Sequence, residues 1–138
     1  MLTETIPDDI KLVIAPDSSS NDFVQHEELS QKGIDVLVLD HHEAEKYSEY
    51  ACVINNQMCD YPNKSLSGAG VVYKFCTYLD KLLETNYAED FLDLATVGII
   101  ADVMPLKDYE TRYLISKGMQ GFRNPLLKTM VAEDNFHF

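Results

Sequence analysis

The side chains with chemical potential in this 138-residue chain are Asp17, the run Asp40-His41-His42, and Asp102. Carboxylate and imidazole together can ligate a divalent cation, hold a phosphate or move a proton. The mixture suits manganese, iron or zinc better than calcium. Each acid also has a plain structural reading. Asp17 can cap a helix or shape a turn, and Asp102 can close a helix against loop amides. What separates these alternatives is whether the elements carrying the residues bring them together.

Those elements are legible in the pattern of residue types. Ile10-Lys11-Leu12-Val13-Ile14-Ala15 is a β-rich run bounded by Pro16, and Val36-Leu37-Val38-Leu39 is a second run that ends directly in Asp40. Between them, the polar stretch from Asp17 to Asp22 precedes Phe23, Val24, His26, Leu29 and Lys32 at roughly helical spacing, closed by Gly33. Strand, helix and strand in that order form a βαβ unit with parallel strands. Neighbouring strand ends in a parallel sheet lie about 5 Å apart. Asp17 and His41 are therefore expected to be close enough to share one ion, in the crevice beyond the carboxyl ends where open α/β sheets bind ligands.

Ala51-Cys52-Val53-Ile54 reads as a third strand, ending in Asn55-Asn56-Gln57, and Glu43 to Tyr50 as a short helix or loop. Ser67 is a natural N-cap for an amphipathic helix running from Gly68 to about Glu84. Its Gly68-Ala69-Gly70 does not follow a strand directly, so close packing fits it better than a nucleotide loop. Tyr87 to Met104 is apolar on nearly all sides, which predicts a buried helix with Asp102 near its end. Such a carboxylate is costly to bury unless paired or metal-bound. Asp108 to Gly121 predicts a further helix, and Pro125 to Val131 the start of another. The fold class read from these elements is α/β, built on a βαβ unit with parallel strands.

Composition narrows the function. Lys and Arg total 11 against 23 Asp and Glu, for a net charge of -12. Phosphate neutralisation drives nucleic-acid affinity, so the chain by itself should be a poor nucleic-acid binder. No apolar run approaches a membrane span, and the opening residues do not form a signal peptide. Cys52, Cys59 and Cys76 are an odd number without a CxxC pair, as expected of reduced thiols in a cytoplasmic protein.

Several stretches together resemble the DHH phosphoesterase superfamily, and within it the RecJ-like single-strand-specific 5′→3′ exonucleases. They are Lys32-Gly33-Ile34-Asp35-Val36 before Asp40-His41-His42, Tyr61-Pro62, Leu66-Ser67-Gly68-Ala69-Gly70-Val71, and Gly98-Ile99-Ile100-Ala101-Asp102-Val103-Met104-Pro105-Leu106. The resemblance runs from about Ile10 to the closing Phe136-His137-Phe138. It implies a parallel sheet with flanking helices in three α/β/α layers, and at the strand ends a two-ion centre, usually Mn2+ (or Mg2+), hydrolysing phosphodiester bonds of single-stranded DNA. It implies Asp17, His41 and Asp102 as metal ligands, with Asp17 bridging both ions. It implies Asp40 and His42 as catalytic residues, Asp40 orienting the histidine pair and His42 contacting the scissile phosphate.

The family's first motif, an Asp-x-Asp on an earlier strand, has no counterpart in Met1 to Asp9, and neither does the downstream substrate domain in the rest of the chain. The expectation is therefore a partial DHH domain spanning 1–138, inactive alone and holding at most one ion weakly. Exposed edges of its shortened sheet would favour self-association. Two alternatives stay open: a DHH phosphodiesterase for short oligonucleotides or cyclic dinucleotides, and a non-catalytic DHH scaffold in replication.

Overall fold

The computed structural model describes residues 6–7 and 9–133. Expectations that rest on residues 1–5, on Asp8 and on the segment 134–138, including Phe136-His137-Phe138, lie outside the described residues. The order is β1 (Leu12–Pro16), α1 (Phe23–Gln31), β2 (Asp35–Asp40), β3 (Cys52–Asn55), α2 (Gly68–Leu83), a 3-10 turn (Ala88–Phe91), α3 (Leu92–Ala101), α4 (Tyr109–Gly118) and α5 (Pro125–Glu133). The strands form one parallel sheet in the order β1-β2-β3.

Alternation along β2 explains the layers. Side chains on a strand point to opposite faces in turn. Val36 and Val38 join Ala15, Ile34 and the α1 residue Leu29 on one face. Leu37 and Leu39 pack on the other with Val71 of α2, Ile99 of α3 and Leu114 of α4. A central strand covered on both sides reads as a continuous apolar run, which is how Val36 to Leu39 reads. Helices lie on both faces, as the α/β/α expectation requires.

One local outcome settles an open alternative, and a second differs from the expectation. Glu43 to Tyr50 is a loop without regular structure, tied back by Asn21, whose side-chain amide bonds the Glu43 carbonyl and the Glu45 amide. The segment 87–104 is not one buried helix. It is broken into the 3-10 turn and α3, and it buries only one side. Ala95, Thr96 and Ile99 are buried, whereas Phe91, Leu94 and Ile100 are substantially exposed. The reason is geometric: α2 and α4 flank α3 on one side, and among the described residues nothing covers the other. A Cβ on Gly98 would collide with the Ala69 Cβ, so α2 and α3 approach to backbone distance there.

The start of α5 is anchored by a buried acid. Asp93 accepts the main-chain amides of Arg123 and Asn124, both at 2.7 Å. Burial pushes its carboxyl up, but those amides outweigh burial and hold it below the ordinary aspartate range.

Candidate metal centre

The β1–β2 ladder aligns Pro16 with Leu39, and the Asp17 amide extends it by bonding the Leu39 carbonyl at 2.8 Å. Both chains then turn. Asp17 adopts φ 58°, a left-handed conformation that aspartate tolerates better than most residues. Beside it, a Cβ on Gly68 would overlap the Asp17 carboxyl group, so the first residue of α2 leaves the space that the carboxylate occupies.

His41 is the centre of the arrangement. Its Nε2 lies 3.3 Å from Asp17 Oδ1 and 3.3 Å from Asp102 Oδ2. The imidazole is largely buried, whereas both carboxylates reach solvent. Ligands about 2.0–2.2 Å from a common ion at tetrahedral or octahedral angles are roughly 3.0–3.5 Å apart. The spacing fits neighbouring corners of one coordination shell. Donor atoms of Asp17, His41 and His42 all lie within 4.8 Å of one another. The sequence reading placed Asp102 with Asp17 and His41, and His42 on phosphate. The structure brings Asp102 against His41 and adds His42 to the donor cluster.

Asp40 faces the other way. It is buried and accepts the amides of Ser20 (3.2 Å), His41 (2.8 Å) and His42 (3.3 Å), and its Oδ1 lies 2.7 Å from His42 Nδ1. Burial pushes this carboxyl up, but the bonds from Ser20, His42 and the two amides win and hold it at about 2. The Asp40 bond in turn raises the His42 imidazole above its ordinary value, with burial opposing. Asp40 thus fixes the tautomer of His42, leaving Nε2 free to face outward.

Two residues absent from the sequence reading of the site belong to it, Asn55 and its partner Ser20. Asn55 pairs in register with Asp40 and is buried, its side-chain amide donating to Ser20 Oγ (2.9 Å) and to the His42 carbonyl (2.8 Å). The available signal was a polar amide ending an apolar strand, which has to be satisfied once buried.

Asp102 is positioned by an unusual helix end. Met104 N bonds Ile99 O and Val103 N bonds Ile100 O, the pairing of a Schellman motif. The residue in the left-handed position is Val103 at φ 52°, where glycine is usual. A β-branched residue there costs about 1–2 kcal/mol. Val103 is 85% exposed, so packing does not repay it. Strain of this kind concentrates at functional sites. Val103→Gly should therefore raise stability by about 1 kcal/mol in urea denaturation, the gain limited by the extra freedom of glycine in the unfolded chain.

The comparisons with known proteins meet this geometry at its central motif. The model of the DHH family, N-terminal domain, matches residues 2–99, which include Asp17 and Asp40-His41-His42. This chain belongs to the DHH family. Within that family it is 47% identical over 134 residues to YorK, an SPbeta prophage-derived protein of Bacillus subtilis named as a single-strand DNA-specific exonuclease. That alignment covers 96% of this chain and 23% of YorK. The single-stranded-DNA-specific exonuclease RecJ of B. subtilis is 31% identical over 115 residues, 81% of this chain and 14% of RecJ. This DHH chain therefore spans under a quarter of the length of these relatives. A crystal structure of exonuclease RecJ bound to manganese superposes with TM-score 0.72 at 29% identity, over 80% of this chain and 28% of that one. RecJ of Thermus thermophilus in complex with Mn2+ gives 0.70 at 31%, over 80% and 17%.

Proposed function

We propose that this chain is part of a RecJ-like exonuclease that hydrolyses phosphodiester bonds of single-stranded DNA with two divalent ions, and that it is inactive by itself. The observation carrying the proposal is the convergence of Asp17 and Asp102 on one His41 nitrogen, with His42 beside them, at the carboxyl edge of a parallel sheet. Asp17, His41 and His42, with Asp102 in reach, would hold one Mn2+ or Mg2+. A bound divalent ion supplies Lewis acidity toward phosphoryl oxygens and lowers the pKa of an attacking water. Among the described residues the Asp17-His41-His42 cluster is the one donor set of this kind, which suits a single ion rather than two.

His42 contributes separately. With Nδ1 held on Asp40, a bond that raises the imidazole above its ordinary value, Nε2 is the nitrogen left to the ion when the ring is neutral, or to a phosphate oxygen when it is protonated. From Asp17 an apolar groove of about 430 Å³ runs past Gly68, Ala69, Tyr73, Phe91 and Leu94. Aromatic and small apolar walls suit the faces of unpaired bases.

Binding of the strand is left to other parts of a longer protein. Four of the eleven basic side chains are engaged internally: Lys74 on Glu110, Arg123 on Glu89 and Asp90, and Lys64 and Arg112 on main-chain carbonyls. Leu12 and Ile14 are about half exposed on the outer strand β1, the surface where self-association would begin. The free thiols Cys52, Cys59 and Cys76 suit a reducing, cytoplasmic setting.

The test uses Mn2+ calorimetry on this chain and nuclease assays on it and a longer parent carrying further acids. Weak uptake of one ion, lost in Asp17→Asn, with hydrolysis of single-stranded DNA seen only in the longer protein, is the expected result. Robust hydrolysis by the 138-residue chain, or uptake unaffected by Asp17→Asn, would refute the proposal.

A further inference from the structure

We infer that Asn55 is a positioning residue of this centre, locking the turns after β1 and β2 into one frame that aims His42; the inference rests on the phosphodiesterase reading for its purpose, though not for its geometry. His42 poses the problem. Its side chain is 61% exposed, so packing cannot hold the ring direction, and hydrogen bonds have to. One is the Asp40 contact at Nδ1. The others act on the main chain. The His42 amide bonds Asp40 Oδ1, and the His42 carbonyl accepts from Asn55 Nδ2. With both ends of the residue pinned, the peptide planes set where the imidazole starts from.

Asn55 closes a ring of bonds that joins all three strand ends. Its side-chain amide reaches Ser20 Oγ after β1 and the His42 carbonyl after β2, Ser20 N reaches Asp40 Oδ2, and Asp40 returns to His42. The amide's orientation is unambiguous. The His42 carbonyl can only accept, and the Gln57 amide, 2.8 Å from Asn55 Oδ1, can only donate. No other small side chain meets the demand: two donors and one acceptor are needed in a site 1% exposed. Serine has one donor, and ionised aspartate has none. Leaving any of these partners unsatisfied in a buried setting is costly, so the frame is rigid while intact and loosens as a unit when broken.

Asn55→Asp isolates this role, because it keeps shape and the acceptor for Gln57 while removing both donors. Ring-nitrogen NMR on the metal-free chain, at a pH well above the ordinary imidazole range, reads the His42 tautomer. Wild type should show the Nδ1-protonated form, and Asn55→Asp and Asn55→Ala the mixture of a free imidazole. In Mn2+ titrations of the same samples, apparent affinity should fall about tenfold or more, as when the hydrogen-bond partners of metal ligands are lost. If either variant, folded by its amide spectrum, keeps the wild-type His42 ring shifts, the positioning role is wrong. Unfolding of both variants would also overturn it, assigning Asn55 to the fold. A His42 change in the variants without Mn2+ uptake by wild type would sustain the positioning role and sink the metal reading instead.

Discussion

Asp40→Ala should lose about 3 kcal/mol or more of stability in chemical denaturation, without any cavity of apolar origin. The carboxylate accepts three main-chain amides and the His42 ring. Hydrogen bonds to a charged group contribute about 1.5–3 kcal/mol each, and some of the loss is recovered by water reaching the part-exposed amides. The same group predicts a pH profile. Because its folded value is depressed from 3.8 to about 2, its contribution is whole above the unfolded value and disappears as pH falls through about 2. The span corresponds to roughly 2 kcal/mol. His42 has the opposite sign. Its pKa is raised, so its contribution is whole below 6.5 and is lost as pH rises through the elevated folded value. Stability of the metal-free chain should thus rise from pH 2 to about 4 and decline above neutrality. Asp40→Asn should flatten both flanks, and an unchanged profile in that variant would contradict the assignment.

Gly68→Ala should weaken Mn2+ binding by tenfold or more while leaving the fold intact. Alanine favours a helix over glycine by about 1 kcal/mol, so α2 itself is not weakened. The added methyl would fall on Asp17 Oδ1, Cγ and Cβ, and the carboxylate has to swing away from His41. Asp17 is exposed enough to do so without disturbing the core. Calorimetry on Gly68→Ala beside Asp17→Asn provides the check, the two losses being of similar size. Wild-type affinity at position 68 as alanine would mean that Asp17 is not held where the structure places it.

The βαβ unit was readable because its residue types leave little choice. Val36 to Leu39 has the apolar density of a strand covered on both faces, and it ends in ionisable groups that cannot follow it into the core. Gly33, at φ 71°, closes the intervening helix as its position after the last periodic residue implies. Parallel pairing then puts Asp17 and His41 side by side through strand geometry alone. The amphipathic α2 with its Ser67 cap was equally plain, the Ser67 hydroxyl accepting from Gly70 N at 3.3 Å.

The reading failed where burial depends on neighbours rather than on the segment. Apolar residues around all sides of 87–104 predicted a buried helix, but exposure follows from which elements lie beside α3, and no periodicity records that. Asn55 escaped notice for a related reason, since its partners come from the turns after two other strands. The left-handed Val103 that ends α3 beside Asp102 runs against local preference and is visible only in three dimensions.

The sequence by itself determined which residues of this DHH chain can do chemistry and that Asp17 and Asp40-His41-His42 emerge from adjacent strands. Strand alternation and parallel pairing are local rules, and they suffice for that. Only the tertiary structure decided that Asp102 converges on the same His41 nitrogen, that Asp40 turns inward to hold the amides, and that Asn55 ties the frame together. Those outcomes depend on distances between elements far apart in the chain, and packing, not pattern, sets such distances.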